Sequence, residues 1–282
     1  MQQEQFGASL PVSCLPVSLF SEFSAGTLTL AGWAEFARTL GLDSVDVNAR
    51  FLPQVTPDVL AAEREKLALP VKMVTTYSDF TNPSREARRD AVALARSDIA
   101  AAGALGAGYI RLTAGQYYAG ADEGETVEWI ADCFAACIPA AEAAGVRVLL
   151  ENHSRPGAWT ADDFDFALDR MARLWERMKT LPVGVNYDTA NAYALGDWGS
   201  LVRLFAGRIE TVHLNDVRSV TPLRYCCIGD GIVPLSEQLE AVIRTGFDGP
   251  VCVEEAGMRG REGIERSIRY TKDLTARLRR SV

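Results

Sequence analysis

Four segments in the second half of the sequence each run from small or branched apolar residues into a carboxylate or an imidazole. The residues at these positions are Glu151, Asp188, His213 and Glu254. Carboxylates and imidazoles can bind a divalent metal ion or move a proton, and they act together only when the fold brings them to one place. The chemistry therefore depends on whether the four segments are neighbouring strands.

Strand alternation predicts that these four side chains share one face. Residues two apart on a strand face the same side. In the last segment, Val251 and Val253 suit a face that is covered by helices. Cys252 and Glu254 then face the other way, and Glu255 faces outward. The same reasoning applied to all four segments gives an inward set. The set is Glu151, Asp188, His213 and Glu254.

A set of this composition predicts a metal site. Three carboxylates with no cation among them repel one another when they are brought close and dehydrated, and proteins avoid that cost by protonation or by a metal ion. Three oxygen ligands and one imidazole suit a divalent ion, and we expect Mn2+, with Co2+, Mg2+ and Zn2+ as alternatives. Any one of these residues alone would more simply be a solvated polar group at a strand end. Four at one level favour the metal site.

Several further residues are candidates for substrate binding. His153 lies two positions after Glu151, where it could contact substrate, support a metal ligand or cap the strand. Arg218 follows His213 by five positions and could bind a hydroxyl, a carboxylate or a phosphate, as could Arg111. A salt bridge to a strand-end carboxylate is the alternative for both arginines, and Arg218 is the better candidate for substrate.

These candidates lie within a repeating pattern of strand-like and helix-like segments. Short β-branched runs predict eight strands, and the stretches between them have the periodicity of three to four residues that is typical of helices. The predicted strands are 12–18, 44–48, 71–75, 109–113, 146–152, 184–188, 211–215 and 251–254. The clearest helix is 84–105, and Gly41, Gly106, Gly145 and Gly246 are placed to end helices before the next strand.

Strands that alternate with helices predict a parallel α/β sheet, and eight such units can close into a (β/α)8 TIM barrel. We expect one barrel domain over residues 1–282, because no linker, low-complexity tract or charge run interrupts the pattern. A doubly wound open sheet is the alternative, and the lack of a GxGxxG motif after the first strand weakens its nucleotide-binding version. In a barrel the chemistry lies at the carboxyl ends of the strands.

The amino-acid composition limits the kinds of molecule that the protein is expected to bind. The 282 residues are 48% hydrophobic and 23% charged, which is enough for a core and untypical of disorder. The net charge of −8 disfavours nucleic acid, because phosphate binding needs a basic surface. We find no signal-like N terminus, no apolar run near the roughly 20 residues of a membrane span, and no CxxC pair among the six cysteines. We expect a cytoplasmic protein with no membrane or nucleic-acid partner.

The strand ends resemble those of the sugar phosphate isomerase/epimerase family, in the xylose isomerase-like barrel superfamily. The matching segments are 150–153 (LENH), 188–191 (DTAN), 213–216 (HLND), 246–250 (GFDGP) before Glu254, and 229–231 (GDG), which resembles the family's Gly-x-Gly loop. The resemblance runs in order over the whole chain. It implies a metal site with Glu151, Asp188, His213 and Glu254 as ligands. In ketose epimerases of this family the two glutamates also act as acid and base, which implies those roles for Glu151 and Glu254.

One position departs from that pattern. The epimerases commonly have a histidine three residues after the strand-six aspartate, where it helps to hold substrate, and this chain has Asn191 there. An amide can still bind a substrate hydroxyl, so Asn191 joins His153 and Arg218 as a predicted substrate-binding residue, but it cannot titrate near neutral pH. Members of the family with nuclease activity use several histidines across two or three metals. This chain has only His153 and His213, so a nuclease is not expected.

The resemblance and the site together lead us to expect an isomerase or epimerase of a small sugar- or polyol-derived ketone. It would move a proton at the carbon next to the ketone through an enediolate. The same site could serve a lyase, either a dehydratase or an enzyme that cleaves 3-keto-glycosides. A non-catalytic sugar-binding barrel is a further alternative, which the intact ligand set argues against. A homo-oligomer, either a dimer or a tetramer, is compatible with each reading.

Overall fold

The computed structural model describes residues 9–53, 55–154 and 159–280, and its strands alternate with helices as the sequence predicts. The strands are β1 (Val12–Leu15), β2 (Val45–Asn48), β3 (Val71–Thr75), β4 (Tyr109–Leu112), β5 (Arg147–Glu151), β6 (Gly184–Asp188), β7 (Ile209–Leu214), β8 (Asp216–Val220), β9 (Leu223–Cys226) and β10 (Val251–Glu254). Eight of them form one parallel sheet in the order β1-β10-β7-β6-β5-β4-β3-β2. The sheet curves into a nearly closed barrel, which confirms the predicted TIM-barrel fold.

The helices lie around this barrel. They are α1 (Phe20–Ser24), α2 (Leu30–Thr39), α3 (Pro57–Arg64), α4 (Arg85–Ala104), α5 (Glu123–Ala144), α6 (Leu168–Met178), α7 (Thr189–Ala194), α8 (Trp198–Leu204), α9 (Leu235–Arg244) and α10 (Gly260–Arg279). Helix α4 begins after Ser84, whose side chain accepts a hydrogen bond from the Ala87 amide, so the helix predicted over 84–105 is confirmed. Gly145 ends α5 with a φ of 67°, a backbone conformation that favours glycine. None of the helices in the described ranges has the length and apolar character of a membrane span.

The two ends of the sheet meet at β1 and β2, and Asp43 joins them. Its Oδ2 atom accepts a hydrogen bond from the Val12 amide at 2.8 Å. Its own amide donates to the Val12 carbonyl at 3.0 Å. The carboxylate therefore substitutes for part of the ladder that would otherwise pair the first and second strands.

The two faces of the barrel strands differ as the alternation predicts. Val251 and Val253 belong to the hydrophobic core between strands and helices, and Cys252, which lies between them, does not. Val212 and Leu214 likewise pack outward on β7. The inward face is therefore free to carry polar side chains, and the buried polar residues of the strands lie there.

Two regions differ from the expected pattern. The first strand was expected to reach Ser18 but ends at Leu15, because Pro16 follows and the chain turns into a short 3-10 helix, Val17–Leu19. An additional antiparallel hairpin, β8–β9, follows β7, and the sequence analysis does not predict it. The hairpin extends from the carboxyl end of the barrel, where chemistry is expected.

Asp216 holds the loop after this hairpin. Its carboxylate accepts hydrogen bonds from the backbone amides of Gly229, Gly231 and Val233 at 2.9 to 3.2 Å. A Cβ atom on Gly231 would lie 2.1 Å from the Asp216 carboxylate, so this close approach requires glycine. The segment 229–231 is thus a structural loop that a buried carboxylate organises, and Asp216 stands apart from the four predicted ligands.

Candidate metal centre

The structure brings the four predicted ligands together at the carboxyl ends of four adjacent strands. Glu151 ends β5, Asp188 ends β6, His213 lies near the end of β7 and Glu254 ends β10. One potential ligand atom from each lies within 4.8 Å of the others. Neighbouring parallel strands β5, β6, β7 and β10 produce this convergence, because the register places Asp188 opposite His213 and Glu151 opposite Asn186.

The donor atoms of this cluster are buried and have few partners. The Nδ1 atom of His213 lies 3.0 Å from Oε2 of Glu254 and 3.5 Å from Oε1 of Glu151. Oε1 of Glu151, the Oδ2 atom of Asp188 and both ring nitrogens of His213 form no hydrogen bond among the described residues, and Oε2 of Glu151 lies in a salt bridge with Arg111. Buried polar atoms are otherwise nearly always paired. Three carboxylates and an imidazole with unused lone pairs directed to one point fit a divalent cation.

Charge in the cluster is only partly balanced by the protein. Burial raises the pKa of Asp188 well above its ordinary value, and the neighbouring Glu254 and Glu151 carboxylates add to the rise. Burial also opposes ionisation of Glu151, but the Arg111 guanidinium and then His213 lower the pKa of that carboxyl overall. A cation between the three carboxylates would remove the repulsion that acts on Asp188.

Arg111 supplies the one permanent positive charge that contacts a predicted ligand within the described residues. Its Nε atom lies 2.7 Å from Oε2 of Glu151, and both side chains are fully buried. The guanidinium also donates to the Thr76 carbonyl at 2.9 Å and lies 5.3 Å from the centre of the Tyr77 ring. Arg111 is therefore in the salt bridge that the sequence analysis offered as the alternative to substrate binding.

Hydrogen bonds between side chains and backbone groups fix the strand ends that carry the cluster. Asn152 accepts from the Asp188 amide and donates to the Asp188 carbonyl, both at 2.9 Å. The Oδ1 atom of Asp188 accepts from the Asn191 amide at 2.6 Å and caps α7. The Thr189 hydroxyl donates to the Asn215 carbonyl at 2.8 Å and accepts from the Asn215 amide at 2.9 Å. Only one oxygen of Asp188 is used by the helix, so the other remains available.

Two of the three predicted substrate-binding residues lie beside the cluster. His153 Nδ1 lies 3.0 Å from Oδ2 of Asp163, and the indole of Trp159 donates to the other oxygen of Asp163 at 3.1 Å. Burial disfavours the charged imidazole, but the Asp163 carboxylate raises the pKa of His153 above its ordinary value. Asn191 follows Asp188 on α7 and is buried. Arg218 is exposed on β8, near Cys226, and the structure does not bring it to the four ligands.

A further polar side chain, Tyr225, enters the site without having been predicted. It lies on β9, and its hydroxyl donates to Oδ1 of Asn191 at 3.2 Å and lies 3.3 Å from the Ser154 hydroxyl. Burial raises the pKa of Tyr225 well above its ordinary value, and the Asp188 carboxylate adds to the rise. Only the hairpin places this tyrosine over the barrel, and the sequence gives no strand signal there that would have identified it.

Glu255 lies outside the cluster, on the outward side that the alternation assigns to it. It is fully buried. Its carboxylate accepts hydrogen bonds from the Ser18 hydroxyl and from the Gly257 amide, the latter at 3.0 Å, and the Cys227 thiol lies 3.7 Å away. Two adjacent glutamates on one strand therefore have separate surroundings.

The sequence matches the profile of the xylose isomerase-like TIM barrel family over residues 34–274. Because this match covers most of its length, the chain belongs to that family. A search of curated proteins gives no significant match.

Several solved structures have the same fold as this chain. A D-tagatose 3-epimerase-like protein is 15% identical, with a TM-score of 0.76 over 96% of this chain and 99% of the other. The zinc-bound IOLI protein is 16% identical, with a TM-score of 0.72 over 95% and 98%. The probable 3-DHS dehydratase AsbF from Bacillus anthracis is 17% identical, with a TM-score of 0.70 over 93% and 98%. At these identities the similarity establishes the fold.

We expect one divalent ion per chain, bound by Glu151, Asp188, His213 and Glu254. Elemental analysis of protein purified without chelator measures it. Replacing Asp188 with Asn should remove uptake yet leave the protein folded, because asparagine also caps a helix well. Replacing Glu255 with Gln removes a buried carboxylate outside the cluster and is the matched control, which should keep the ion.

One outcome would contradict the presence of a metal centre. Active-site metals of this kind normally remain bound or can be restored, because the folded site is built around them. Wild-type protein with no bound ion and no uptake of added Mn2+ or Co2+ would rule out the metal centre.

Proposed function

We propose that this chain is a metal-dependent isomerase or epimerase that moves a proton at the carbon next to the carbonyl of a small sugar-like ketone. The observation that carries the proposal is the cluster of three carboxylates and one imidazole, which is buried, largely unpaired and placed at the carboxyl end of the barrel. A D-tagatose 3-epimerase-like protein has the same fold, and its name agrees with this reaction class.

The order of the strands supports roles for the two glutamates as acid and base. Glu151 and Glu254 lie on β5 and β10, the outer two of the four adjacent strands, and Asp188 and His213 lie between them. The two carboxylates therefore approach a bound molecule from opposite sides. One glutamate would take the proton from carbon, and the other would return it from the opposite face, which inverts one centre. Return to the neighbouring carbon would instead give aldose–ketose isomerisation.

The surroundings of the glutamates suit proton transfer. A divalent ion bound here would polarise the carbonyl and stabilise the negative charge that deprotonation creates. Arg111 keeps Glu151 ionised, and an ionised carboxylate can accept a proton. The Glu254 side chain is 15% exposed, more than those of Glu151 and His213, so it reaches the open mouth of the site.

The polar groups above the cluster suit a hydroxylated substrate. His153, Asn191, Tyr225 and Ser154 offer donors and acceptors within one buried patch. Tyr77 and Trp159 add aromatic faces, with ring centres 6.3 Å apart. Sugar rings combine hydroxyl groups with apolar faces, so a patch that has both kinds of surface is well suited to them. Arg218 remains a candidate for substrate contact from β8.

A lyase on the same site is the second candidate, and the His153–Asp163 pair favours it. Two glutamates suffice for epimerisation, whereas loss of a β-substituent after proton removal also needs a proton for the departing group. A histidine held 3.0 Å from a buried carboxylate is suited to give one. The fold shared with the probable 3-DHS dehydratase agrees with this alternative.

Solvent exchange separates the two reactions. We expect a panel of free ketoses in D2O to include one whose recovered substrate or product carries deuterium at the carbon next to the carbonyl. The label is introduced because the glutamate that returns the proton can equilibrate with solvent. Mass spectrometry and NMR locate it. If no ketose exchanges while 3-keto-glycosides release a fragment or an enone chromophore, the lyase is correct and the epimerase is not.

Replacing either Glu151 or Glu254 with Gln should lower kcat by about 10²–10⁴-fold, because glutamine can offer the metal an oxygen but cannot accept a proton. The rates must be compared at saturating metal, so that weaker metal binding does not account for the loss. Glu255→Gln is the matched control on the same strand and should keep most of the activity per folded molecule. Its buried hydrogen bonds make a lower melting temperature the expected effect there.

Two outcomes would contradict this assignment. If Glu255→Gln lost as much activity as Glu254→Gln at equal folding, the inward face of β10 would be assigned wrongly. If both inward variants kept more than about a tenth of the wild-type rate, the two-glutamate mechanism would fail, because removal of a general base has a larger effect.

A further inference from the structure

A second cluster lies in the barrel interior, on the amino-terminal side of the first. Potential ligand atoms of Asp46, Cys252 and His213 all lie within 4.8 Å of one another. Each of these residues is at most 1% exposed. His213 thus belongs to both clusters, and its ring connects the layer that contains Glu254 with the layer below it.

The register of the barrel explains why these residues meet. Cys252 on β10 is the register partner of His213 on β7 and of Ser13 on β1. Asp46 lies on β2, next to β1 across the Asp43 junction. Four consecutive strands therefore place a polar side chain at one level inside the barrel.

The Nε2 atom of His213 needs a hydrogen-bond partner in this layer. Its Nδ1 atom faces the two glutamates, at 3.0 and 3.5 Å. A neutral imidazole that binds a cation through Nδ1 carries its proton on Nε2, and that N–H needs an acceptor when it is buried. Nε2 of His213 has no hydrogen-bond partner among the described residues, and Oδ1 of Asp46 has none either. A ring nitrogen and a carboxylate oxygen without partners thus share one buried layer.

Cys252 is placed to connect them. A thiol can accept one hydrogen bond at sulfur and donate another from S–H. A second metal ion is the competing explanation for the cluster. It would require His213 to give both ring nitrogens to cations, so the ring would have to lose both of its N–H protons.

We propose that Asp46 and Cys252 are positioning residues for His213: the Nε2–H group donates to the Cys252 sulfur, and the thiol donates to the Asp46 carboxylate. Metal-binding histidines almost always use the second nitrogen in this way, and the contact fixes both the tautomer and the ring orientation. The inference rests on the proposed function to the extent that Nδ1 must bind an ion. It concerns the protein and the ion alone, and no substrate enters it.

The tautomer of His213 is the most direct test. The chain has two histidines, so the two-bond 1H–15N spectrum of Zn2+-loaded protein contains two ring systems, which a His153→Gln variant assigns. We expect the proton of His213 on Nε2 and the ion on Nδ1. A proton on Nδ1 in the loaded protein overturns the proposal.

Metal affinity is the second readout, measured by chelator competition with Zn2+ and no substrate. Asp46→Val and Cys252→Val should each weaken binding by about 10–100-fold, the usual effect of losing such a contact. Cys252→Ser should recover most of the affinity, because a hydroxyl can also accept and donate. Met73→Leu changes an apolar side chain that is the register partner of Asp46, so it is the control for repacking and should bind normally.

The outcomes separate this proposal from the function proposed above. Normal affinity in both valine variants overturns the positioning role and leaves the metal centre intact. Binding of two Zn2+ per chain, with the second lost in Cys252→Val, replaces the proposal with a second metal site. A wild-type protein that binds no ion overturns both proposals. A protein that binds one ion with the expected tautomer, and turns over no ketone, refutes the reaction class alone.

Discussion

The burial of like charge at the mouth of the barrel is the constraint on which the rest of the site depends. Three carboxylates lie within a few ångströms of one another, and the protein offers them one guanidinium and one imidazole. Water cannot screen charges that are fully buried, so their repulsion would oppose folding unless a cation or a proton balances it. Burial, and then repulsion from Glu254 and Glu151, raises the pKa of Asp188 well above its ordinary value. A site of this kind costs stability, and that cost is consistent with a structure selected for chemistry.

The remainder of the barrel supports this arrangement through rigid contacts. The side chains of Asn152 and Thr189 hold the ends of neighbouring strands by paired hydrogen bonds to backbone groups, so the ligands do not separate to relieve their repulsion. Arg111 holds Glu151 from one side. Asp43 joins the first and second strands, which keeps the opposite wall of the barrel in place. The geometry of the four-residue cluster is therefore set by the strands and by these side-chain contacts, and Tyr225 of the β8–β9 hairpin lies beside it.

Much of this could be predicted from sequence, because strand alternation is a local property. Cys252 and Glu254 could be separated from Glu255 by parity alone, and the structure places all three as expected. The hairpin β8–β9 could not be predicted, since its short strands carry no regular apolar pattern. Tyr225 was missed with it. Contacts between distant strands, such as Asp46 with His213, depend on barrel closure and register, which periodicity does not specify.

The central claim is that the four strand-end residues hold one ion between them. Anomalous diffraction from crystals of Mn2+- or Zn2+-loaded protein measures the position of that ion. The account predicts a single peak about 2.0–2.3 Å from Nδ1 of His213 and from an oxygen of each of Glu151, Asp188 and Glu254, the distances usual for such ligands. A peak centred instead between Asp46, Cys252 and His213, or no peak within the cluster of four, would contradict it.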